Sequence, residues 1–227
     1  MAQQLPFDLP HRPAAARQDF FVAPCNAEAV QLIDLWPAWI TPMQFIYGPH
    51  ASGKSHLLAV WQEKSGALAI SVDAIGAGID VTALASAQAV IIDNCETLHS
   101  DAEEHLFHIF NDLKLREVPC LIAGTLPPSQ MRFAIPDLAS RLRSLPAIGL
   151  GEADDALLQA VMKKLLLDRQ LVMNPQVMDY VMLRVDRNCE AILNFVARLD
   201  QYSLALGKPI TRNIASDVLA QINKYNA

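Results

Sequence analysis

The 227-residue chain lacks an excess of basic residues: 24 aspartates and glutamates outnumber 18 lysines and arginines, which gives a formal net charge of −6. This balance argues against a large nucleic-acid surface, because such surfaces normally show a basic excess. Long apolar runs are also missing. No stretch reaches the roughly 18 residues of a membrane span, and no basic segment followed by an apolar one opens the chain. With 52% hydrophobic and 19% charged residues, we expect a globular protein without membrane anchor or secretory signal.

Cysteine is scarce as well. The four cysteines, Cys25, Cys95, Cys120 and Cys189, lie far apart in the sequence and form no C-x-x-C pair. We therefore interpret them as small buried apolar residues of a protein kept in a reducing cytoplasm, and not as metal ligands or disulfide partners.

The chain does contain a phosphate-binding loop. Gly48-Pro49-His50-Ala51-Ser52-Gly53-Lys54-Ser55 fits the pattern G-x-x-x-x-G-K-[ST] at every fixed position. The apolar run before it predicts a strand and the residues after it predict a helix, so the loop's N–H groups and the helix N-terminus would point at phosphates. Lys54 would reach the β- and γ-phosphates and the Ser55 hydroxyl would ligate Mg²⁺. The alternative is a glycine turn that matches by chance.

Short apolar runs alternate with helical patterns over the first two thirds of the chain. Since parallel strands that are covered on both faces are continuously apolar, this predicts an α/β fold with a five-stranded parallel sheet. The clearest helix follows Ser100, where Glu103 completes a capping box. Its apolar positions repeat every 3.6 residues: Ala102, Leu106, Ile109, Phe110 and Leu113. The predicted strands are 43–47, 68–72, 89–92, 119–123 and 145–150.

After residue 151 the strand patterns stop and only helical patterns follow. The sequence therefore predicts an extended arm at 1–18, an α/β nucleotide-binding domain at 19–150 and a small all-α lid at 151–227. The predicted helices of the lid are 153–169, 175–185, 188–206 and 211–224.

The acid that a phosphate-binding loop requires for its metal is Asp93, which directly follows the run 89–92. We favour this role over a surface turn aspartate because the loop is present upstream. Asn94 then stands where many ATPases carry a second acid that orients the attacking water. An amide is a poor general base, so intrinsic hydrolysis should be slow or absent. Glu96 is the nearest further carboxylate, and its direction cannot be predicted.

Two segments each allow a functional and a structural interpretation. Arg141 and Arg143 are either solvated arginines or candidates for an arginine finger, a cation that stabilises transition-state charge on a phosphate. In the arm, Leu5, Phe7 and Leu9 alternate with smaller or polar residues. They either pack on the protein's own core or form a linear peptide for a partner's groove. The residues alone do not decide either case.

The loop, Asp93, the segment Leu-Ala-Ser before Arg141 and the helical lid together resemble the AAA+ ATPases, and more narrowly the DnaA/Hda family. Asp19-Phe20-Phe21-Val22, with Asn26 after it, is similar to the segment that opens the family's ATPase domain. Phe107-His108-Ile109-Phe110-Asn111 resembles its helix after the acid-bearing strand. The resemblance covers about residues 19–224.

Three features favour the Hda branch of this family. Gln4-Leu5-Pro6-Phe7-Asp8-Leu9 looks like the hexapeptide with which proteins bind the β sliding clamp. The pair Asp93-Asn94 is more typical of Hda than of DnaA, which usually carries two acids there. The chain also ends soon after the lid, so we expect no helix-turn-helix DNA-binding domain.

The resemblance implies a regulator that binds ADP or ATP with Mg²⁺, docks on the clamp and promotes hydrolysis of DnaA-bound ATP, which prevents over-initiation. Arg141 would act in trans as the arginine finger, and Gln4, Leu5, Phe7 and Leu9 would contact the clamp. The partners implied are DnaA and the clamp, with no membrane and no sequence-specific DNA; a second copy of the chain is a further candidate. The nucleotide contacts implied outside the loop are Phe21, Val22, His56, Asp93 and Arg187.

The chain departs from the family pattern at two places, and both favour ADP. Glu190 lies where an arginine of the lid is expected, and a carboxylate there would repel a γ-phosphate. Arg187, nearly one turn earlier, is the candidate to compensate. Thr125 and Leu126 replace an Asp-Arg pair. The alternatives are an autonomous AAA+ ATPase such as a helicase loader, a non-catalytic scaffold for DnaA and the clamp, and, less favoured, a small-molecule kinase.

Overall fold

A computed structural model of the chain describes residues 21–77, 81–99, 102–206 and 210–225. The arm, with Gln4, Leu5, Phe7 and Leu9, lies outside these ranges, and so does Ser100. None of the helices within them combines the length and the apolarity that a bilayer crossing requires.

Five parallel strands form one sheet with the order β2-β3-β4-β1-β5, which confirms the predicted α/β class. The strands are β1 Met43–Tyr47, β2 Leu68–Ile70, β3 Val90–Ile92, β4 Cys120–Gly124 and β5 Ala147–Gly149. The helices between them are α1 Ala27–Leu35, α2 Lys54–Ser65, α3 Val72–Ala77, α4 Val81–Ser86, α5 Glu103–Leu115 and α6 Pro136–Arg143.

Both faces of the sheet are buried, which explains why its strands are continuously apolar. Along each central strand, alternate residues join different hydrophobic clusters. Phe45, Val90 and Ile122 pack with α5 and α6 on one face, whereas Ile46 and Leu121 pack with α1 and α2 on the other. The sheet is therefore a middle layer, and the carboxyl ends of β1, β3 and β4 meet at one edge.

Three predicted strands were too long, and one of them, 89–92, begins one residue later at Val90. The run 68–72 ends at Ile70, because the Ser71 hydroxyl accepts the Ala74 N–H at 3.1 Å and caps the start of α3 at Val72. The run 145–150 is reduced to Ala147–Gly149. Hydrophobicity alone does not mark these ends, because Val72 and Leu150 are as apolar as the strands.

Beyond residue 151 the described ranges contain the predicted helices, α7 Asp155–Asp168, α8 Pro175–Met182, α9 Cys189–Leu206 and α10 Arg212–Tyr225, and an isolated β-bridge between Met173 and Ile210. The Asp154 carboxylate caps α7 by accepting the Leu157 N–H, and the Asn174 side chain caps α8 by accepting the Gln176 N–H. These helices share a hydrophobic cluster of their own around the fully buried Phe195.

The cysteine interpretation holds for two of the four residues. Cys95 and Cys120 are buried, and burial raises the pKa of the Cys120 thiol to about 12. Cys25 and Cys189 are only half-buried, so the prediction of burial was wrong for them. All four are free thiols.

Helix α5 buries its predicted apolar face, but the predicted capping box is wrong, because the helix begins at Glu103 with Ala102 as its N-cap and the Glu103 carboxylate bonds elsewhere. The residue is buried, and its two carboxylate oxygens accept the N–H groups of Ala134 and Ile135 at 2.9 and 2.8 Å. Glu103 thereby ties the first turn of α5 to the residues that lead into α6. This long-range contact cannot be predicted from the local sequence.

We expect Glu103→Ala to lower the free energy of unfolding by about 2 kcal/mol, because it leaves two backbone donors without their charged acceptor. The shift in urea midpoint, followed by circular dichroism, measures this. Glu104→Ala is the matched control, because Glu104 is exposed and its carboxylate lies 3.8 Å from His108. Its effect should stay within about 0.5 kcal/mol. Equal midpoints for the two variants would contradict the role given to Glu103.

Candidate functional site

The phosphate-binding loop connects β1 to α2 and depends on close backbone approaches. A Cβ atom on Gly48 would lie 2.5 Å from the Leu150 carbonyl oxygen, so the loop passes the end of β5 at a distance that only glycine allows. Gly53 has φ 97° and precedes the first residue of α2. Ala51 also takes a left-handed backbone with φ 59°. The predicted strand, loop and helix are therefore in place, with the loop at the N-terminus of α2.

Lys54 lies inside this loop. Its side chain is buried, and Nζ donates to the carbonyl oxygens of Gly48 and Pro49 at 2.8 Å each. Burial lowers the pKa of the Lys54 ammonium, while the charges of Asp93 and Glu96 oppose this effect. The lysine thus places a cation under the loop, surrounded by carbonyl and carboxylate oxygens.

Ser55 and Asp93 are 38 residues apart in the sequence, and the fold brings them together. The Ser55 hydroxyl donates to the Asp93 carboxylate at 3.1 Å. The second carboxylate oxygen accepts the Asn94 N–H at 2.8 Å, and Asn94 turns the chain away with φ 54°. A hydroxyl and a carboxylate oxygen this close are a donor pair that suits Mg²⁺. The arrangement is the one expected when the ends of β1 and β3 face one crevice.

Glu96 is the carboxylate whose direction the sequence left open. It turns back toward the end of β4, where Oε1 accepts the Thr125 N–H at 3.1 Å. Its Oε2 is buried and has no hydrogen-bond partner among the described residues, and a Cβ atom added to Gly124 would lie 3.1 Å from it. The site therefore has a second carboxylate, between the ends of β3 and β4. The left-handed turn at Asn94 gives it this direction, and no pattern in the sequence marks that turn.

The segment before α1 carries Phe21 and Val22, and its shape depends on Asn26. The buried Asn26 side chain donates to the Phe21 carbonyl oxygen at 2.9 Å and accepts the Ala23 N–H at 2.8 Å. The neighbouring Cys25 carbonyl oxygen accepts the Gly151 N–H at 2.8 Å. The segment is thereby joined to the chain just after β5, where the lid begins.

Arg187 is fixed by the lid itself. Its guanidinium lies 2.7 Å from the Asp155 carboxylate, and both side chains are largely exposed. Glu190 is exposed in the first turn of α9, which Asn188 caps by accepting the Ala191 N–H at 2.8 Å. No described hydrogen bond joins Arg187 to the phosphate-binding loop. His56, in the first turn of α2, is half-buried.

The Arg141 guanidinium is held on α6 and α5. Its Nε and Nη2 donate to one oxygen of Asp137 at 3.2 and 3.1 Å, and Nη1 donates to the Asn111 amide oxygen. The ring of Phe107 lies beneath it, with 4.9 Å between the guanidinium carbon and the ring centroid. The sequence analysis did not identify these three residues as partners of Arg141. The i,i+4 spacing of Asp137 and Arg141 was the one available signal.

Arg143 differs from Arg141. Its Nε donates to the Ala139 carbonyl oxygen on the same helix, and the residue is exposed. This is what the solvated interpretation predicts for an arginine in the last turn of a helix, where a cation also interacts favourably with the helix dipole.

Both the lid and the whole fold are similar to known proteins. Residues 154–219 match the family model of the Hda lid domain. Domain III of the replication initiation protein DnaA from Thermotoga maritima superposes with a TM-score of 0.80 at 21% identity, over 94% of this chain and 98% of that domain. AMPPCP-bound DnaA from Aquifex aeolicus gives a TM-score of 0.73 at 20% identity, over 86% of this chain and 68% of that one.

A crystal structure described as a DNA replication initiation factor gives a TM-score of 0.72 at 21% identity, over 83% of this chain. This chain spans 65% of the length of that protein. The five-stranded sheet and the match of the lid are consistent with each other, and the phosphate-binding loop lies next to Asp93 as in the predicted site. The chain thus has the fold of these DnaA structures, a five-stranded α/β domain followed by helices, and residues 154–219 match the Hda lid domain.

Proposed function

We propose that the protein is a nucleotide-binding regulator of replication initiation, which docks on the β sliding clamp in the cytoplasm and stimulates hydrolysis of the ATP held by DnaA. The observation that carries the proposal is the match of residues 154–219 to the Hda lid domain on a DnaA-like fold. This combination favours a DnaA-related role over the tasks of other AAA+ proteins. The proposed partners are therefore DnaA and the clamp.

Nucleotide binding is supported by the geometry of the loop. Lys54 places its charge beneath a loop whose N–H groups precede α2, and Ser55 and Asp93 offer two oxygens for Mg²⁺. Mg²⁺ would shield the phosphate charge there. Glu190 in the lid favours ADP as the resident nucleotide, whereas Asn94 in place of a second acid favours slow intrinsic hydrolysis. A related protein, DnaA of Aquifex aeolicus, binds the ATP analogue AMPPCP.

Arg141 is the residue proposed to act on the nucleotide of DnaA. Phosphoryl transfer spreads negative charge over the equatorial oxygens of the transferred group, and a fixed cation nearby stabilises that charge. The three contacts of Arg141 lie on α5 and α6, outside its own phosphate-binding loop. This position supports the proposal that Arg141 acts on the phosphate of a neighbouring molecule.

The test of the proposed function is an assay of DnaA-bound ATP with the purified protein and the clamp loaded on DNA. We expect ADP to form rapidly only when all three are present. Turnover by the protein alone at a similar rate would instead support an autonomous ATPase, an alternative that Glu96 favours because it supplies a carboxylate at the site. Failure of ADP to stabilise the protein would support the nucleotide-independent scaffold.

The arm is proposed to bind the clamp through Gln4, Leu5, Phe7 and Leu9. We expect replacement of Leu5, Phe7 and Leu9 by alanine to weaken clamp binding by about 100-fold or more, because buried apolar anchors of an interface are typically worth about 2 kcal/mol each. Surface plasmon resonance on immobilised clamp measures this. Alanine at Pro10, Arg12 and Pro13 in the same arm is the control and should keep the affinity. If the triple variant binds the clamp normally, the arm is not the clamp peptide.

A further inference from the structure

The Arg141 guanidinium is oriented by three contacts from different directions. The Asp137 carboxylate accepts hydrogen bonds from Nε and Nη2, and the Asn111 amide oxygen accepts one from Nη1. The Phe107 ring covers one face of the guanidinium. Together these contacts fix the position of the group and the plane in which it lies.

The contacts leave two of the N–H donors of the guanidinium unused. An arginine side chain has five N–H donors in a planar fork. Asp137 and Asn111 occupy three of them, so one hydrogen on each terminal nitrogen remains. The described part of the chain offers no acceptor to that pair, and the side chain is 32% exposed. These two remaining N–H groups, the free edge of the guanidinium, can donate hydrogen bonds to the oxygens of a phosphate.

Arg116 provides a comparison within the same protein. It forms the same type of pair with Asp112 four residues earlier, again through Nε and Nη2. Its terminal nitrogens, however, also donate to the carbonyl oxygens of Leu84 and Ala85 at the end of α4. Arg116 is thus an arginine used to hold the structure together, whereas Arg141 is held by the structure and keeps a free edge.

We propose that Asp137 is a positioning residue, which aims the free edge of the Arg141 guanidinium at a phosphate of the partner molecule. This inference rests on the proposed function. Asp137 and Arg141 lie on one helix, so a docking partner does not have to break their pair. The Asp137 side chain is 59% exposed, so water screens part of its charge and the pair with Arg141 is a surface ion pair. Fixing the guanidinium beforehand removes the ordering that a mobile arginine would undergo during the reaction.

The experiment measures hydrolysis of DnaA-bound ATP, with loaded clamp, over a range of concentrations of the Asp137→Asn variant. We expect the maximal rate to fall about ten- to hundredfold, since small misplacements of a catalytic group cost this much, while the half-saturating concentration stays within about twofold. Asp137→Glu keeps the charge and the helical spacing, and should recover part of the rate. Asp112→Asn removes the equivalent pair with Arg116 and should keep the wild-type maximal rate.

Two outcomes overturn the inference without touching the proposed function. In both, Arg141→Ala abolishes stimulation. In the first, Asp137→Asn keeps the wild-type maximal rate, so the pair does not aim the cation. In the second, only the half-saturating concentration changes, so Asp137 is a contact to the partner. If Arg141→Ala itself stimulates normally, the proposed function fails. Unchanged circular dichroism and unchanged stabilisation by ADP show that the Asp137 variants are folded.

Discussion

Replacing Arg141 by alanine is expected to reduce clamp-dependent hydrolysis of DnaA-bound ATP by about 10³-fold or more, the scale on which arginine fingers act. The variant removes the cation that Asp137, Asn111 and Phe107 hold in place. The stability of the variant should change little, because the Arg141 side chain is partly exposed and its surface ion pair with Asp137 is worth about 1 kcal/mol or less. A single-turnover assay with labelled ATP on DnaA measures the rate.

Arg143→Ala is the control for this experiment. Arg143 is two residues away on the same helix, carries the same charge and bonds only to its own helix among the described contacts. We expect it to keep nearly the full rate. If the two variants lose the same amount, the effect comes from the net charge of the surface, and the assignment of the finger to Arg141 is wrong.

The second large effect is expected for Lys54→Ala, which should abolish stabilisation of the protein by ADP. Wild-type protein with ADP at 100 times its dissociation constant should gain about 2.7 kcal/mol in unfolding free energy, and the variant should gain nothing. The reason is that Lys54 is the cation of the loop, buried beneath the carbonyl oxygens of Gly48 and Pro49. Thermal denaturation with and without ADP measures the difference.

Lys64→Ala tests whether any lysine of α2 would have the same effect. Lys64 lies in the last turn of α2 and donates to the carbonyl oxygens of Ile33 and Asp34 at 3.1 Å each. Losing it should lower the stability of the protein with and without ADP alike, so the gain from ADP remains. A full ADP gain in the Lys54 variant would show that the nucleotide does not bind at this loop.

The sequence was sufficient for the parts of the site that follow from local patterns. The loop and the strand that ends in Asp93 have fixed spacings, and a parallel sheet brings such strand ends together, so the Ser55–Asp93 contact could be expected. Continuous apolar strands likewise predicted the sheet. These inferences need only the spacing of the motifs and the apolar pattern of the strands.

Other parts of the site depend on contacts that no local pattern encodes. Glu96 turns toward Thr125 because Asn94 adopts a left-handed backbone, and a single asparagine does not reveal this. The contact between Arg141 and Asn111 spans 30 residues of sequence. Arg187 was predicted as a nucleotide contact from its place in the sequence, and its observed partner is Asp155 in the lid. Its role toward a nucleotide stays a proposal.

Helix α6 is fastened to α5 at two points. Glu103 holds Ile135 at the start of α6, and Asn111 holds Arg141 near its end. Ile135 and Arg141 are six positions apart, which corresponds to about 9 Å along a helix. Helix α6 therefore cannot slide along α5 or rotate about its own axis without breaking one of these two contacts. Helix α5 packs against the sheet in the core, so the sheet, through α5, determines the direction of the guanidinium. If Arg141 acts on a partner's phosphate as proposed, contact with that phosphate depends on how the two proteins dock, and no flexible side chain has to search for it.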